Sequence, residues 1–428
     1  MEQHWMRLDN AALIFPAIRS RRWSNVFRVS ALLREDVDHA VLQQAAEQII
    51  PRFPFFFVRL RRGLFWHYLE SIPQPPRVRE DWAYPLAYMG KRETARCCLR
   101  ILYYKNRIAV EFFHSLTDGT GGMIFLKTLT ACYLSLRHGL TIPAEHGVLD
   151  WTKPPAPEEL EDSFLRHKGP RVLNDREQDA YRLTGTPEPG FLYLTTGLLS
   201  SRALLEAAHS RNATVTVFLA AVMAQVILEL QSARKPARKQ KPVKITIPVN
   251  LRRLYGSRTL RNFVLTLNPG VDPRLGEYTL GELCQQIAAQ LKAEATPQKM
   301  AGRIAANVEP QENPILKLAP LGVKTLAMRL VYSRRGESKG CINVSNLGQQ
   351  SLPAPMADYV QRLSFVVGPQ RSYPNNCSVA SFGDTVCISM IRRIRESELE
   401  QRFFSRLVEL GLKVEIESND PAIAKKTE

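Results

Sequence analysis

No run of eighteen uninterrupted apolar residues occurs in this 428-residue chain, which argues against a membrane-crossing helix. The nearest candidate, Val215 to Leu230, is broken by Thr216, Gln225 and Glu229 and predicts a buried helix instead. Cysteines spaced for a metal or redox site are missing too. The seven, at positions 97, 98, 132, 284, 341, 377 and 387, are odd in number, and none shows C-x-x-C spacing. They predict scattered buried thiols in a reducing compartment. The opening residues, Met1-Glu-Gln-His-Trp5, lack the basic-then-apolar plan of a secretion signal, so a cytoplasmic protein is expected. Heptads, short repeats and extended low-complexity tracts are absent as well. With 45% hydrophobic and 23% charged residues the chain can bury a sizeable core, which excludes general disorder. Its length calls for two domains or one large two-lobed unit.

Acids are also scarce. Against 58 Lys plus Arg there are 41 Asp plus Glu, a formal charge of +17. This invites nucleic acid, anionic lipid, an acidic protein or a phosphorylated cofactor, without choosing among them. The imbalance is local. From Leu230 to Val271 there is no acid, while Lys and Arg number ten. Aromatics are nearly missing from that segment, with only Tyr255 and Phe263, so no stacking platform for nucleic acid is visible.

The pattern along the chain is mixed α and β. A helix is expected over 36–50, ended by Pro51. Phe53 to Leu60 and Leu64 to Leu69 predict a hairpin around Arg61-Arg62-Gly63, and Cys97 to Tyr104 with Arg107 to Phe113 a second, turned at Lys105-Asn106. A polar, Gly-rich loop then leads to a helix expected over Met123–Arg137. Prolines and charges mark 151–190 as a crossover between a first lobe, 1–150, and a second, 191–428. The second lobe predicts a strand at Phe191–Thr196, helices over 200–210 and 214–230, strands at Val243–Val249, Phe263–Asn268 and Cys341–Val344, and helices over 280–294 and 396–410. A closing hairpin pairs Cys377–Phe382 with Val386–Arg392.

One loop carries chemistry: His114-Ser-Leu-Thr-Asp118-Gly119-Thr-Gly121-Gly122. The glycines argue against a helix through it, at roughly 1 kcal/mol each, and no third ligand suggests a metal. An apolar strand delivers the histidine and a helix follows the glycines, a setting in which a reactive side chain is both held and exposed. A neutral imidazole, with an ordinary pKa near 6.5, suits proton abstraction.

The string resembles the H-x-x-x-D-G signature of the chloramphenicol-acetyltransferase-like acyltransferases, which include plant BAHD enzymes, condensation domains of peptide synthetases and alcohol acetyltransferases. Ile247-Pro-Val-Asn250-Leu-Arg252-Arg253 is similar to their second-lobe strand end, Asn262-Phe263 falls where they place an asparagine, and Ser345-Asn346-Leu347-Gly348 is similar to their S-N-x-G stretch. The late D-F-G-W-G motif of the BAHD branch is absent, and the chain looks most like a stand-alone alcohol acetyltransferase-type protein.

The resemblance implies an α/β (α+β) fold of two lobes, each a mixed sheet flanked by helices, with an active-site tunnel at their interface. It implies acyl transfer from a thioester, acyl-CoA or an acyl carrier protein, to a small hydroxyl or amine acceptor. His114 would be the general base, with no covalent acyl-enzyme, consistent with the missing G-x-S-x-G elbow. Asp118 would pair with Arg252 to order the loop, beside Gly119. Candidate oxyanion donors are Ser345, Asn346 and the amides near Gly121 and Gly122. Arg234, Lys235, Arg238 and Lys239 would form a basic mouth for donor phosphates or a carrier protein. No metal, no tightly bound cofactor and no nucleic acid are expected, and a monomer is. A carrier-dependent condensation-type synthase and a catalytically silent module of the same fold are the alternatives.

Overall fold

The computed structural model describes residues 5–20, 23, 25–171, 177–335, 338–370 and 373–421; the first four residues and part of the expected crossover lie outside them. The described chain forms three sheets flanked by helices. The five-stranded sheet has the order Val360–Val367, Val26–Leu33, Arg107–Phe113, Leu99–Tyr104, Arg79–Glu80. The eight-stranded sheet is built on Val243–Asn250, Ile342–Gln350, Asn375–Phe382, Thr385–Arg392 and Tyr193–Ser200. Ile342–Gln350 runs parallel to both of its neighbours. Trp5–Arg7, His67–Ser71 and Val58–Arg62 make a small third sheet.

Arg107–Phe113 is buried at nearly every position, because both of its faces are covered. On one, Ile108, Val110 and Phe112 join the apolar core under the helices His39–Gln48 and Gly119–His138. On the other, Glu111 accepts from Arg28 and Arg100, so the buried carboxylate is compensated rather than isolated. The Val215–Arg234 helix is apolar enough by length and composition to cross a membrane, yet most of it is packed inside. It is capped by the Thr214 hydroxyl and lies in the second core. All seven cysteines are buried and free.

Several predicted elements shift. The Phe53–Leu60 strand begins only at Val58. Phe53, Phe55, Phe56 and Phe57 instead form a buried turn whose rings pack on one another and on Phe125, so they are core. The helix expected from Met123 begins at Gly119, so the glycines form its first turn. Their helix-breaking cost is outweighed by packing: a Cβ on Gly121 would stand 2.4 Å from the Leu260 carbonyl oxygen, and one on Gly122 2.7 Å from the Phe27 ring. Val26–Leu33, Val360–Val367 and the helices Pro297–Glu312 and Leu321–Arg335 carried no signal strong enough to be read. Val360–Val367, from the later half of the chain, pairs antiparallel with Val26–Leu33 and so ties the two halves together.

Candidate active site

His114 follows directly on the last residue of the Arg107–Phe113 strand, and its backbone N–H donates to the Asn25 carbonyl at 2.8 Å. Its ring lies between two phenylalanines: Phe15 stacks on it at 4.4 Å and Phe27 meets it edge-on at 5.2 Å. These contacts fix the imidazole plane. Its Nδ1 stands 3.0 Å from Asn262 Oδ1. The orientation of that amide is set from its other end, where Asn262 Nδ2 donates to the His114 carbonyl at 3.0 Å and to Asp9 Oδ2 at 3.1 Å. Oδ1 is therefore the atom facing the ring and can only accept, which assigns the imidazole proton to Nδ1 and leaves Nε2 as a bare acceptor. Burial lowers the His114 pKa from its ordinary 6.5, against smaller raising effects from Asp118 and Asn262, and the ring is held neutral.

Asp9 extends this arrangement. Its carboxylate also accepts from the Asn262 and Ala12 amides at 3.3 and 2.7 Å. Complete burial pushes its pKa up to about 6, with the Arg261 guanidinium 3.7 Å away opposing the rise. No periodicity or motif marks Asp9 in the sequence. It is 253 residues from Asn262, and only the packing of the N-terminal segment against the second half brings it in.

Asp118 turns away from the imidazole and caps the Gly119–His138 helix. Oδ1 accepts from the Thr120 and Gly121 amides at 3.1 and 3.2 Å. Oδ2 accepts from Arg252 Nη1 at 2.8 Å and from the Phe263 amide at 2.9 Å. Both side chains of the ion pair are buried. Arg252 also donates to the carbonyls of Thr259 and Arg261, so one guanidinium clamps the loop that carries Asn262. At Gly119 an added Cβ would lie 2.9 Å from both Leu347 and Phe365.

The Gly121 amide donates to Asp118 Oδ1 and the Gly122 amide to the Asp118 carbonyl, so both N–H groups are already committed within the helix start. Asn346 is fixed by donating Nδ2–H to Thr216 Oγ1 at 3.1 Å and accepting from the Gly348 amide at 2.7 Å; its amide retains a second N–H. Strand alternation puts Ser345 on the face of Ile342–Gln350 opposite Val344, which is in the second core. Nearby, Asn250 Nδ2 donates to Thr120 Oγ1 at 3.2 Å.

The four cations Arg234, Lys235, Arg238 and Lys239 lie elsewhere. Arg234 pairs with Glu398, Lys235 stands over the Tyr181 ring at 5.5 Å, and Arg238 and Lys239 are exposed. They sit at the end of the Val215–Arg234 helix remote from Thr216, about 27 Å away at 1.5 Å per residue. A cleft of about 480 Å³ between the two large sheets, lined by Arg28, Ser30, Arg362 and Thr196, is separate as well, because Arg28 and Phe27 point to opposite faces of their strand. Among the described residues no group of His, Cys, Asp and Glu could hold a metal ion.

No family model matches the chain, and no curated protein matches it in sequence. Solved structures do match in fold. Polyketide synthase associated protein 5 from Mycobacterium tuberculosis aligns at TM-score 0.60 and 15% identity over 94% of this chain and 96% of that one. F. graminearum TRI101 complexed with ethyl coenzyme A gives 0.61 and 12% over 96% and 99%. The first condensation domain of the CDA synthetase gives 0.58 and 14% over 95% and 96%. The chain has the two-lobed fold of the chloramphenicol-acetyltransferase-like acyltransferases and condensation domains.

Proposed function

We propose that this protein is an acyltransferase that moves an acyl group from a thioester, acyl-CoA, to a hydroxyl or amine acceptor. The observation that carries the reading is the His114–Asn262–Asp9 arrangement: a partly buried imidazole with its proton on Nδ1 and a free Nε2. Among the proteins of this fold are a trichothecene 15-O-acetyltransferase from Fusarium sporotrichioides and TRI101 with ethyl coenzyme A, which supports oxygen acceptors and a CoA donor.

In this reading Nε2 takes the proton of the acceptor as its oxygen or nitrogen attacks the thioester carbon. Such general-base action is worth about 10²- to 10⁴-fold. The tetrahedral intermediate then expels the thiolate, which recovers the proton from the imidazolium, so the enzyme ends as it began and no acyl-enzyme forms. While the ring is charged, Asn262 Oδ1 holds the Nδ1–H and the Asp118 carboxylate offsets the charge. Ser345 is the donor for the oxyanion, since the Gly121 and Gly122 amides are bonded within the helix start and Asn346, one residue on, points to the opposite face of the strand, where it bonds Thr216. Asp118 and Arg252 act through the loops they join.

Release of free thiol from a series of acyl-CoA donors, with alcohols and amines as acceptors, tests the proposal. His114→Ala should stay folded and lose turnover. A folded His114→Ala protein with full activity would overturn the assignment.

A further inference from the structure

A surface helix ordinarily turns its polar side outward. The Leu321–Arg335 helix does the reverse. Leu321, Thr325 and Tyr332 face inward, the last stacked on Trp23 at 5.4 Å. Outward stand Val323 and Leu326, each 60% exposed, with Leu330 and Val331 beyond them. The patch continues on both sides. Leu316 and Leu318 in the preceding turn are exposed, and so are Leu64 and Trp66 at the tip of the hairpin Val58–Ser71. That tip is fastened to the helix, since the Leu321 amide donates to the Leu64 carbonyl and Lys324 Nζ to the Phe65 carbonyl, at 2.9 and 3.0 Å. Two rigid elements thus present one apolar surface, of a kind that soluble monomers rarely leave bare.

Its charge selects the occupant. Residues 313–336 contain five Lys and Arg and no acid, while the hairpin 58–71 carries three Arg against one acid, Glu70, which pairs with Arg59 and Arg61. Leucine and valine in a net positive surround, with a tryptophan at the rim, match an anionic lipid surface, where apolar side chains enter the acyl boundary and cations meet the headgroups. A second copy of the chain would bring like charges together on the same patch. We infer that the protein docks on anionic membranes through the outer face of Leu321–Arg335 and the Leu64–Trp66 tip. The inference does not depend on the reaction proposed above. It does place the lipid phase near that site, because the helix packs on the short helix Ile14–Ile18, where Arg329 donates to the Ala17 carbonyl and Phe15 stacks on His114.

Flotation with vesicles tests it, comparing phosphatidylcholine alone with phosphatidylcholine containing phosphatidylglycerol. The native chain should float with the anionic vesicles and be released by salt. Leu326→Glu with Leu330→Glu should reduce the bound fraction by about tenfold, and Leu275→Glu, at a still more exposed leucine outside the patch, should leave it unchanged. Matching circular dichroism and melting curves would establish that all three proteins are folded. Failure of the native chain to bind either vesicle would overturn the proposal, as would undiminished binding by the double variant. A native dimer converted to a monomer by that variant, without vesicle binding, would assign the face to a second copy instead.

Discussion

Removing the Asp118 carboxylate should destabilise the protein before any effect on chemistry is felt. Asp118→Ala deletes two capping bonds to Thr120 and Gly121, the acceptor for the Phe263 amide, and the counter-ion of Arg252. A lost N-cap costs about 1 kcal/mol, and a buried ion pair broken from one side about 3–5 kcal/mol, because the remaining charge is left uncompensated. Arg252 keeps its bonds to the carbonyls of Thr259 and Arg261, which softens its isolation, so the effects should not add fully. A net loss of about 4 kcal/mol is expected, a large part of the roughly 5–15 kcal/mol that holds ordinary domains. Denaturant titration should show it as a fall in midpoint. Asp118→Asn separates charge from shape. Its oxygen can still cap the helix, but its NH₂ would then face the Arg252 guanidinium and the Phe263 N–H, donor against donor. It should therefore be nearly as damaging as Ala. A cycle with Arg252→Ala should yield a coupling energy above about 1 kcal/mol. A loss below about 1 kcal/mol in Asp118→Ala, or an undisturbed Asp118→Asn, would refute the view that this pair holds the loop.

The other expectations concern the ring and its supports. His114→Ala should retain its melting behaviour while turnover falls by about 10²- to 10⁴-fold. Asn262→Ala should lower kcat with little change in KM, since it frees Nδ1 of the base rather than a substrate contact; an unchanged kcat would remove Asn262 from the positioning role. Because desolvation lowers the His114 pKa, the acid limb of kcat/KM should lie below pH 6.5, and a limb above pH 7 would contradict a neutral, partly desolvated base. The same shift gives a stability signature. Below pH 6.5 the unfolded chain binds the proton that the folded ring resists, so the native protein should lose stability relative to His114→Gln as pH falls from 6.5 toward the lowered value. Gly121→Ala should cost about 1–3 kcal/mol from overpacking, its new methyl meeting Leu260 backbone; a neutral result would show that the first turn can shift.

Much of this was legible in local chemistry. The turn at Lys105-Asn106 and the buried apolar strand after it were readable, and so was a histidine placed at the strand's end. Asp118 before a run of small residues is a helix cap in any context. Yet the same glycines were misread as a loop, because their intrinsic cost of roughly 1 kcal/mol each is visible in sequence, while the Phe27 and Leu260 surfaces they accommodate are not. Ten cations in an acid-free segment looked like one electrostatic feature. Folding divides them among buried partners such as Asp118 for Arg252 and Asp9 for Arg261, with others at the far end of a long helix.

By itself the sequence determined what short range governs: strand and helix identity, turn positions, a cap, and a base of the right intrinsic pKa. Only the tertiary structure decided which nitrogen of His114 bears the proton, because that depends on Asn262, 148 residues away, and on Asp9, a further step removed. The same holds for the helix from Leu321, which carries no strong signal in the sequence and whose outward leucines and valines only packing reveals. Hydrogen-bond direction and solvent exposure are properties of a neighbourhood, and a neighbourhood assembled from distant segments has no signature in any one of them.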